Sequence, residues 1–141
     1  MTGSAGRLDL IVLDDGVQGV AVRLLSPTPQ YDHYEAEIVI RSDFVNATVR
    51  TDCTVGDFDD WAVLLDAVAE GDDDSGTEFS GAWPVQGRAA YLVFVVEDPY
   101  VVEVHDGSGT QISVRVPVDL KAGWIEAARE RLVAVRGVVG V

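Results

Sequence analysis

The feature that most constrains this chain is a change of hydrophobic period that occurs twice. Apolar and polar residues alternate over residues 34–41 and 44–52, a period of two that is typical of half-buried strands. The spacing of apolar residues then lengthens to three and four over residues 58–68, and again over residues 120–135, as in amphipathic helices. Strands followed by a helix, twice over, predict an α+β fold.

Seven strands joined by short turns are predicted, and no crossover helix separates parallel strands, so a doubly wound α/β fold is excluded. The first helix starts at Thr54 or Asp57 and ends at Gly71, and Asp119 caps a second helix that ends at Gly137. Residues 72–81 are predicted to form a polar loop, and Gly19 suggests a bulge. The predicted strands span residues 8–13, 17–25, 34–41, 44–52, 89–97, 101–106 and 111–118.

The predicted order is therefore ββββα–βββα, an antiparallel meander of about seven strands with two helices. A length of 141 residues is typical of one domain, which we expect to span residues 1–141. The halves also share a weak internal similarity, because Val49-Arg50 precedes Trp61 and its helix as Val114-Arg115 precedes Trp124. Trp83 follows the polar loop outside any periodic segment, so we expect it to be partly buried.

Charge is the second strong signal. The chain has 24 acidic and 10 basic residues, a formal net charge of −14, which would repel a phosphate backbone and argues against a nucleic-acid partner. Residues 52–78 contain ten of the acids and no Lys or Arg. We therefore expect one strongly negative region, at the first helix and the loop after it.

Helix-end electrostatics accounts for only part of this acidic region. Carboxylates in the first turn of a helix are stabilised by its dipole, but acids near the C-terminal end are not. Either solubility or a basic protein partner would favour those acids. On the partner hypothesis, the binding residues are Asp59, Asp66, Glu70, Asp72, Asp73 and Asp74.

Motifs for catalysis or metal binding are not evident. His33 and His105 have no second ligand at a zinc-binding spacing, and Cys53 is the single cysteine. The acidic stretch from Asp72 to Glu78 fails the register of a calcium loop, since Gly76 falls where a ligand is required. We therefore predict no catalytic residue, no cofactor and no metal.

Two other functions compete with a protein-binding domain. A small-ligand or enzymatic domain would use the open face of the sheet and needs a concave pocket where polar groups such as His105, Arg50 or Arg115 converge. The other alternative is a protein that mimics a nucleic acid. Such a mimic needs carboxylates spaced like phosphates along a rigid face, and the predicted polar loop of residues 72–81 does not provide one.

Membrane insertion and export are not expected. The longest apolar run, residues 89–96, is eight residues long, against the roughly 20 that a spanning helix needs. The N-terminal residues lack the basic segment of a signal peptide. These features, with the single cysteine, predict a cytoplasmic protein.

Several segments together resemble a small acidic protein family of actinobacteria that is a domain of unknown function. They are residues 36–40 with 44–46, Phe58-Asp59-Asp60-Trp61, and residues 114–118 followed by Trp124. The resemblance covers essentially the whole chain and implies a fold but no active site. The layout of that family is similar to that of bacterial immunity proteins, so the resemblance implies a non-enzymatic protein that engages a basic partner.

Overall fold

Each half of the chain forms a four-stranded antiparallel sheet followed by a helix. The computed structural model describes residues 8–71, 79–84, 89–107 and 110–141. Both sheets have their strands in sequence order, β1-β2-β3-β4 and β5-β6-β7-β8, so the predicted α+β fold is confirmed. The elements are β1 (Asp9–Asp14), β2 (Gly19–Leu24), β3 (Tyr34–Arg41), β4 (Ala47–Cys53), α1 (Val55–Gly71), β5 (Phe79–Trp83), β6 (Tyr91–Val96), β7 (Tyr100–His105), β8 (Ser113–Val118) and α2 (Trp124–Val139).

The strand count is eight rather than seven, because β5 lies where the sequence predicted the end of a polar loop. This strand pairs with β6 from Phe79 opposite Val96 to Trp83 opposite Leu92. Its first and last residues, Phe79 and Trp83, favour strands, but the three small residues between them do not, so local propensity gave only a weak signal for this strand. Ladder hydrogen bonds with β6 and the burial of Trp83 hold it instead, and the order becomes ββββα twice.

The β3–β4 pair of the first sheet and the β7–β8 pair of the second sheet share the same strand register. In both, a Tyr opens the third strand of the sheet, and a Glu three residues later faces an Arg on the fourth strand. The common register explains the internal similarity around Arg50 and Arg115, which occupy equivalent positions. The matching pairs are Tyr34–Cys53 and Glu37–Arg50 in the first half, and Tyr100–Val118 and Glu103–Arg115 in the second.

The same two tyrosines attach the helices. The ring of Tyr34 lies 5.5 Å from that of Phe58 on α1, and the ring of Tyr100 lies 5.4 Å from that of Trp124 on α2. Aromatic pairs at these separations add to the free energy gained by burial. Each helix is thus fixed to the third strand of the sheet in its own half of the chain.

The halves interlock, because each helix also packs against the first strand of the other sheet. α2 lies against β1, and α1 lies against β5. Hydrogen bonds between the described residues also join the halves. Among them, Thr51 Oγ1 donates to Ala90 O at 2.7 Å, Gln18 Nε2 donates to Pro117 O at 2.6 Å, and Asp119 N donates to Asp15 Oδ2 at 3.0 Å. Neither sheet buries its core face without the other half.

α1 forms as the sequence predicted. The five residues of its predicted apolar face are all buried, and the helix ends at Gly71. At its start Asp57 Oδ2 accepts a hydrogen bond from Thr54 N at 2.8 Å, and Thr54 Oγ1 accepts one from Asp57 N at 3.3 Å. Both candidate capping residues therefore act together, in a reciprocal capping box. The buried residues are Phe58, Trp61, Leu64, Leu65 and Val68.

The bounds of α2 differ from the prediction. The helix begins at Trp124 after Gly123, whose φ of 89° is left-handed and cannot belong to a right-handed helix. The backbone N–H of Asp119 donates to Asp15 Oδ2. The helix continues through Gly137 and ends before Gly140, whose φ is 83°. The left-handed conformation at Gly140 is one that glycine adopts without a steric penalty.

Gly19 marks a close backbone approach rather than a bulge. A Cβ atom at this position would lie 2.5 Å from Leu13 O and 2.6 Å from the Cα atom of Asp14. The irregularity of this sheet lies instead on β1, between Asp9 and Ile11. Glycine at position 19 is therefore required by packing.

Candidate functional site

The described acidic residues on the predicted binding surface share one face of α1. Asp59, Asp66 and Glu70 are spaced seven and four residues apart, and all three are exposed. Asp72, Asp73 and Asp74, together with the stretch tested as a calcium loop, lie outside the described residues. The acidic face of α1 is therefore defined here as Asp59, Val63, Asp66 and Glu70.

Two of these acids are paired within the chain. Asp59 Oδ1 lies 3.0 Å from Arg136 Nη2, and Asp66 Oδ1 accepts a hydrogen bond from Arg129 Nη2 at 2.8 Å. Asp59, near the start of α1, pairs with Arg136, near the end of α2, and the later acid Asp66 pairs with the earlier arginine Arg129. The two helices are therefore antiparallel neighbours. The basic residues that the sequence placed on the last helix neutralise part of the acidic face.

Asp60 and Glu70 remain available for a partner. Both are exposed, and neither forms an ion pair with another residue in the described parts of the chain. Asp57 takes a different role, since its side chain is 2% exposed and belongs to the helix cap. The negative potential of α1 therefore comes mainly from Asp60 near its start and Glu70 in its last turn.

Val63 lies in the middle of the acidic face, and sequence reasoning did not single it out. Its exposed fraction is 65%, and it lies four residues after Asp59 and three before Asp66. The antiparallel register set by the two ion pairs places it level with Val133 of α2, which is 69% exposed. The helical position of an apolar residue between two acids was the signal that could have identified it.

The open face of the second sheet carries the polar groups of the competing hypothesis. His105 Nε2 lies 2.9 Å from Glu103 Oε1, and the His105 ring stacks on Tyr91 with 4.9 Å between centroids. Arg115 donates to Glu103 at 3.3 Å and to Glu97 at 2.8 Å. These groups bond to one another across the face of the second sheet.

Arg50 does not join this polar cluster. It lies on the first sheet, where its guanidinium donates to Glu35 at 3.1 Å. Thus His105 and Arg115 come together, as the ligand-binding hypothesis requires, whereas Arg50 occupies the equivalent position on the opposite sheet. The ligand-binding hypothesis named three polar residues, and the structure brings two of them, His105 and Arg115, to one surface.

A groove in the described part of the chain lies elsewhere, along α2. Its volume is about 570 Å³, and it runs between β1 and the helix. Its charged side chains are Asp9, Glu130 and Arg131, with alanines and valines between them, and neither histidine lines it. A second groove of about 390 Å³ continues past Arg131 toward Trp124. These grooves offer no nucleophile beside a general base.

Metal-binding potential is low in the described parts of the chain. No three His, Cys, Asp or Glu side chains there come close enough together to hold an ion. His33 Nδ1 lies 3.8 Å from a single carboxylate, that of Asp52, and Cys53 is fully buried, as expected for a strand-end cysteine.

Among the described helices, none is long and apolar enough to cross a membrane.

Comparison with known proteins identifies one family. The model of a family of unknown function (DUF5959) matches residues 8–140, which include both sheets and both helices. No curated protein and no solved structure matches the chain.

Proposed function

We propose that this chain, which belongs to the DUF5959 family, is a non-enzymatic protein-binding domain whose binding surface is the acidic face of α1. The observation that carries the proposal is the position of Val63. An apolar side chain 65% exposed at the centre of a charged helix face is unfavourable in water and becomes favourable when a partner covers it.

The arrangement around Val63 has the anatomy of a protein interface. Interfaces have an apolar centre with a polar rim, and the central contacts contribute most of the binding free energy. Here the rim is Asp59, Asp66 and Glu70, with Asp60 beside it. The ion pairs with α2 hold two of these carboxylates in fixed positions, which lowers the entropy cost of binding.

Charge defines the partner class. A chain of net charge −14 attracts a basic protein over long range, and such steering raises association rates at low ionic strength. We propose a basic protein that docks an apolar residue or pocket on Val63 and places Lys or Arg against Asp60 and Glu70. Because the resemblance stated from the sequence implies an immunity-type protein, a toxin neutralised by this chain is the first partner to test.

The test is a titration of the purified full chain against the proteins encoded beside its gene. We expect one of them to bind, with an association rate that falls as salt is added. Val63→Glu, which removes the apolar centre, is expected to weaken binding at least about tenfold. Ile112→Ser, at an equally exposed apolar residue on β7–β8, serves as the matched control and is expected to leave binding unchanged.

A double variant separates the charged rim from the apolar centre. Asp60→Asn with Glu70→Gln is expected to slow association while leaving the dissociation rate nearly constant. Binding that is insensitive to salt and to both changes would refute the proposal, as would the absence of binding to every neighbouring protein. Turnover of a small substrate by the isolated chain would refute its non-enzymatic part.

A further inference from the structure

A second exposed apolar surface lies at one end of the first sheet, on the turns β1–β2 and β3–β4. Phe44 is 92% exposed and Val17 is 62% exposed. The two turns lie at the same end because Gly19, just after the first turn, pairs with Arg41, just before the second. This end is defined here as the turn surface, residues 14–19 and 41–46.

The turn that carries Phe44 is held by its own side chains. Ser42 Oγ accepts hydrogen bonds from Phe44 N at 3.0 Å and from Val45 N at 2.7 Å. Asn46 Nδ2 donates to Ser42 O at 2.8 Å, and Ser42 N donates to Asn46 Oδ1 at 3.2 Å. Phe44 is thus displayed from an ordered turn.

The turn that carries Val17 is held in the same way. Asp15 Oδ1 accepts hydrogen bonds from Val17 N at 2.8 Å and Gln18 N at 2.9 Å, and Asp14 Oδ1 accepts one from Gly16 N at 2.7 Å. The bonds from Gln18 to Pro117 and from Asp119 to Asp15 fix this turn to the second half of the chain.

Arg41 joins the two turns. Its Nη2 atom donates to Asp14 Oδ1 at 2.8 Å and to Oδ2 at 2.9 Å, and its Nε atom donates to Asp14 Oδ2 at 3.2 Å. Such multiple hydrogen bonds fix the geometry of a guanidinium–carboxylate pair. The surface that presents Phe44 and Val17 is therefore ordered before any partner binds.

The exposure of Phe44 on an ordered turn makes it suitable as an anchor for a partner. Burial of an exposed Phe side chain against a partner is favourable, because it removes apolar surface from water. A preorganised anchor also avoids part of the entropy cost of ordering on binding, and aromatic anchors dominate many interfaces. The hydrogen bonds of Ser42 and Asn46 fix the backbone from which Phe44 projects.

We propose that the turn surface is a second docking site, which inserts Phe44 into an apolar pocket rimmed by cationic side chains on a partner protein. The occupant follows from charge: Asp14, Asp15 and Asp43 outnumber the single Arg41 on the two turns. A second copy of the chain would bring another net charge of −14, and an anionic lipid surface would repel the molecule. This site is independent of the face of α1.

The equivalent hairpin of the second half provides a matched control. Ile112, on β7–β8, is 63% exposed, and its N–H is bonded to Thr110 Oγ1 at 3.2 Å. Ile112 is thus an exposed apolar side chain near a turn of the second sheet. Among the residues that the structure describes at these turns, the Arg41–Asp14 pair belongs to the first half.

The experiment selects peptides from a random peptide library on the immobilised full chain, and then measures their dissociation constants by fluorescence polarisation. We expect selected peptides to combine an apolar residue with Lys or Arg. Phe44→Ser is expected to weaken their binding by about tenfold or more, Val17→Ser by less, and Ile112→Ser by under about twofold. An unchanged Tm of Phe44→Ser, whose side chain is exposed, shows that folding is intact.

Three results would overturn this proposal. Peptides that bind Phe44→Ser as tightly as the original chain would exclude the turn surface, and peptides without basic residues would exclude its charge complementarity. A dimer that dissociates in Phe44→Ser, seen by analytical ultracentrifugation, would assign the surface to a second copy. Peptides sensitive to Val63→Glu but not to Phe44→Ser would reject the turn surface and leave the α1 proposal standing.

Discussion

Arg129 donates a hydrogen bond of 2.8 Å to Asp66 across the antiparallel helix pair. This contact joins the acidic helix to the basic helix, so two regions of opposite charge in the sequence become neighbours in space. Part of the acidity of α1 is consequently neutralised within the chain, and a basic partner must compete with α2 for Asp66.

Removing the α2 arginines should therefore speed association with a basic partner. Arg129→Gln with Arg136→Gln makes the net charge more negative and leaves Asp59 and Asp66 without their ion-pair partners. We expect the association rate, measured by stopped-flow mixing at low salt, to rise several-fold. Arg50→Gln, which changes charge by the same amount per site on the first sheet, is the control. A rate unchanged by the double variant but raised by Arg50→Gln would contradict the prediction.

The Asp66–Arg129 pair itself should contribute little to stability. The side chains are 62% and 42% exposed, so solvent screens their attraction. A double-mutant cycle with Asp66→Asn and Arg129→Gln, followed by urea unfolding, should give a coupling free energy below about 1 kcal/mol that falls with added salt. A coupling well above that value would mean that the pair determines how the helices pack.

Two glycine substitutions should change stability in opposite directions. Gly19→Ala places a methyl group against Leu13 O and the Asp14 backbone, so we expect the free energy of unfolding to fall by about 1–3 kcal/mol. Gly137→Ala meets no atom within 4 Å on α2 and should raise it by about 0.5–1 kcal/mol. Thermal and urea unfolding of the two variants check both signs, and a stable Gly19→Ala would show that β1 and β2 can move apart next to their turn.

Comparing the buried residues Trp61 and Trp83 should measure the contribution of one hydrogen bond to stability. Trp83 Nε1 donates to Asp57 O at 2.6 Å, whereas Trp61 Nε1, packed 6.4 Å away ring to ring, has no partner among the described residues. Replacement by Phe removes similar volume at both sites, but only Trp83→Phe also removes a hydrogen bond between the described residues. We expect Trp83→Phe to be the more destabilising by about 1 kcal/mol in urea unfolding. Equal losses would argue that the hydrogen bond contributes nothing net.

Acid should weaken the junction between the halves through Asp15. Hydrogen bonds from the backbone N–H groups of Asp119 first, then Gln18 and Val17, hold the pKa of Asp15 below its ordinary value of 3.8, although partial burial acts in the opposite direction. Because the folded-state pKa is depressed, the stabilisation is present above the unfolded-state pKa and is lost as pH falls through the folded-state value.

The Asp15→Asn variant tests this pH dependence. The difference in unfolding free energy between the original chain and the variant should be largest near neutral pH and should shrink between about pH 5 and pH 2. Asp43→Asn, at an exposed position on the neighbouring turn, provides the control. A difference that stays constant over this range would refute the role of Asp15 ionisation.

The sequence by itself determined the local elements, since strand alternation and helical spacing depend on which face of each element is buried. It predicted the buried face of α1, its capping residues Thr54 and Asp57, and the third and fourth strands of each half. It missed β5 because that strand is held by pairing with β6 and by burial of Trp83, which no local propensity encodes. It also misplaced both ends of α2, which lie at the left-handed residues Gly123 and Gly140 rather than at Asp119 and Gly137.

For the candidate site, too, some features could be predicted from the sequence and others required the tertiary structure. The acidic content of α1 follows from composition, and the exposure of Asp59, Asp66 and Glu70 follows from helical periodicity. Only the tertiary structure decided that Asp59 and Asp66 are paired with arginines some 63 to 77 residues away in the chain, and that Phe44 and Val17 share one end of a sheet. Contacts between distant segments depend on how the two halves pack together, and periodicity within a segment contains no information about that packing.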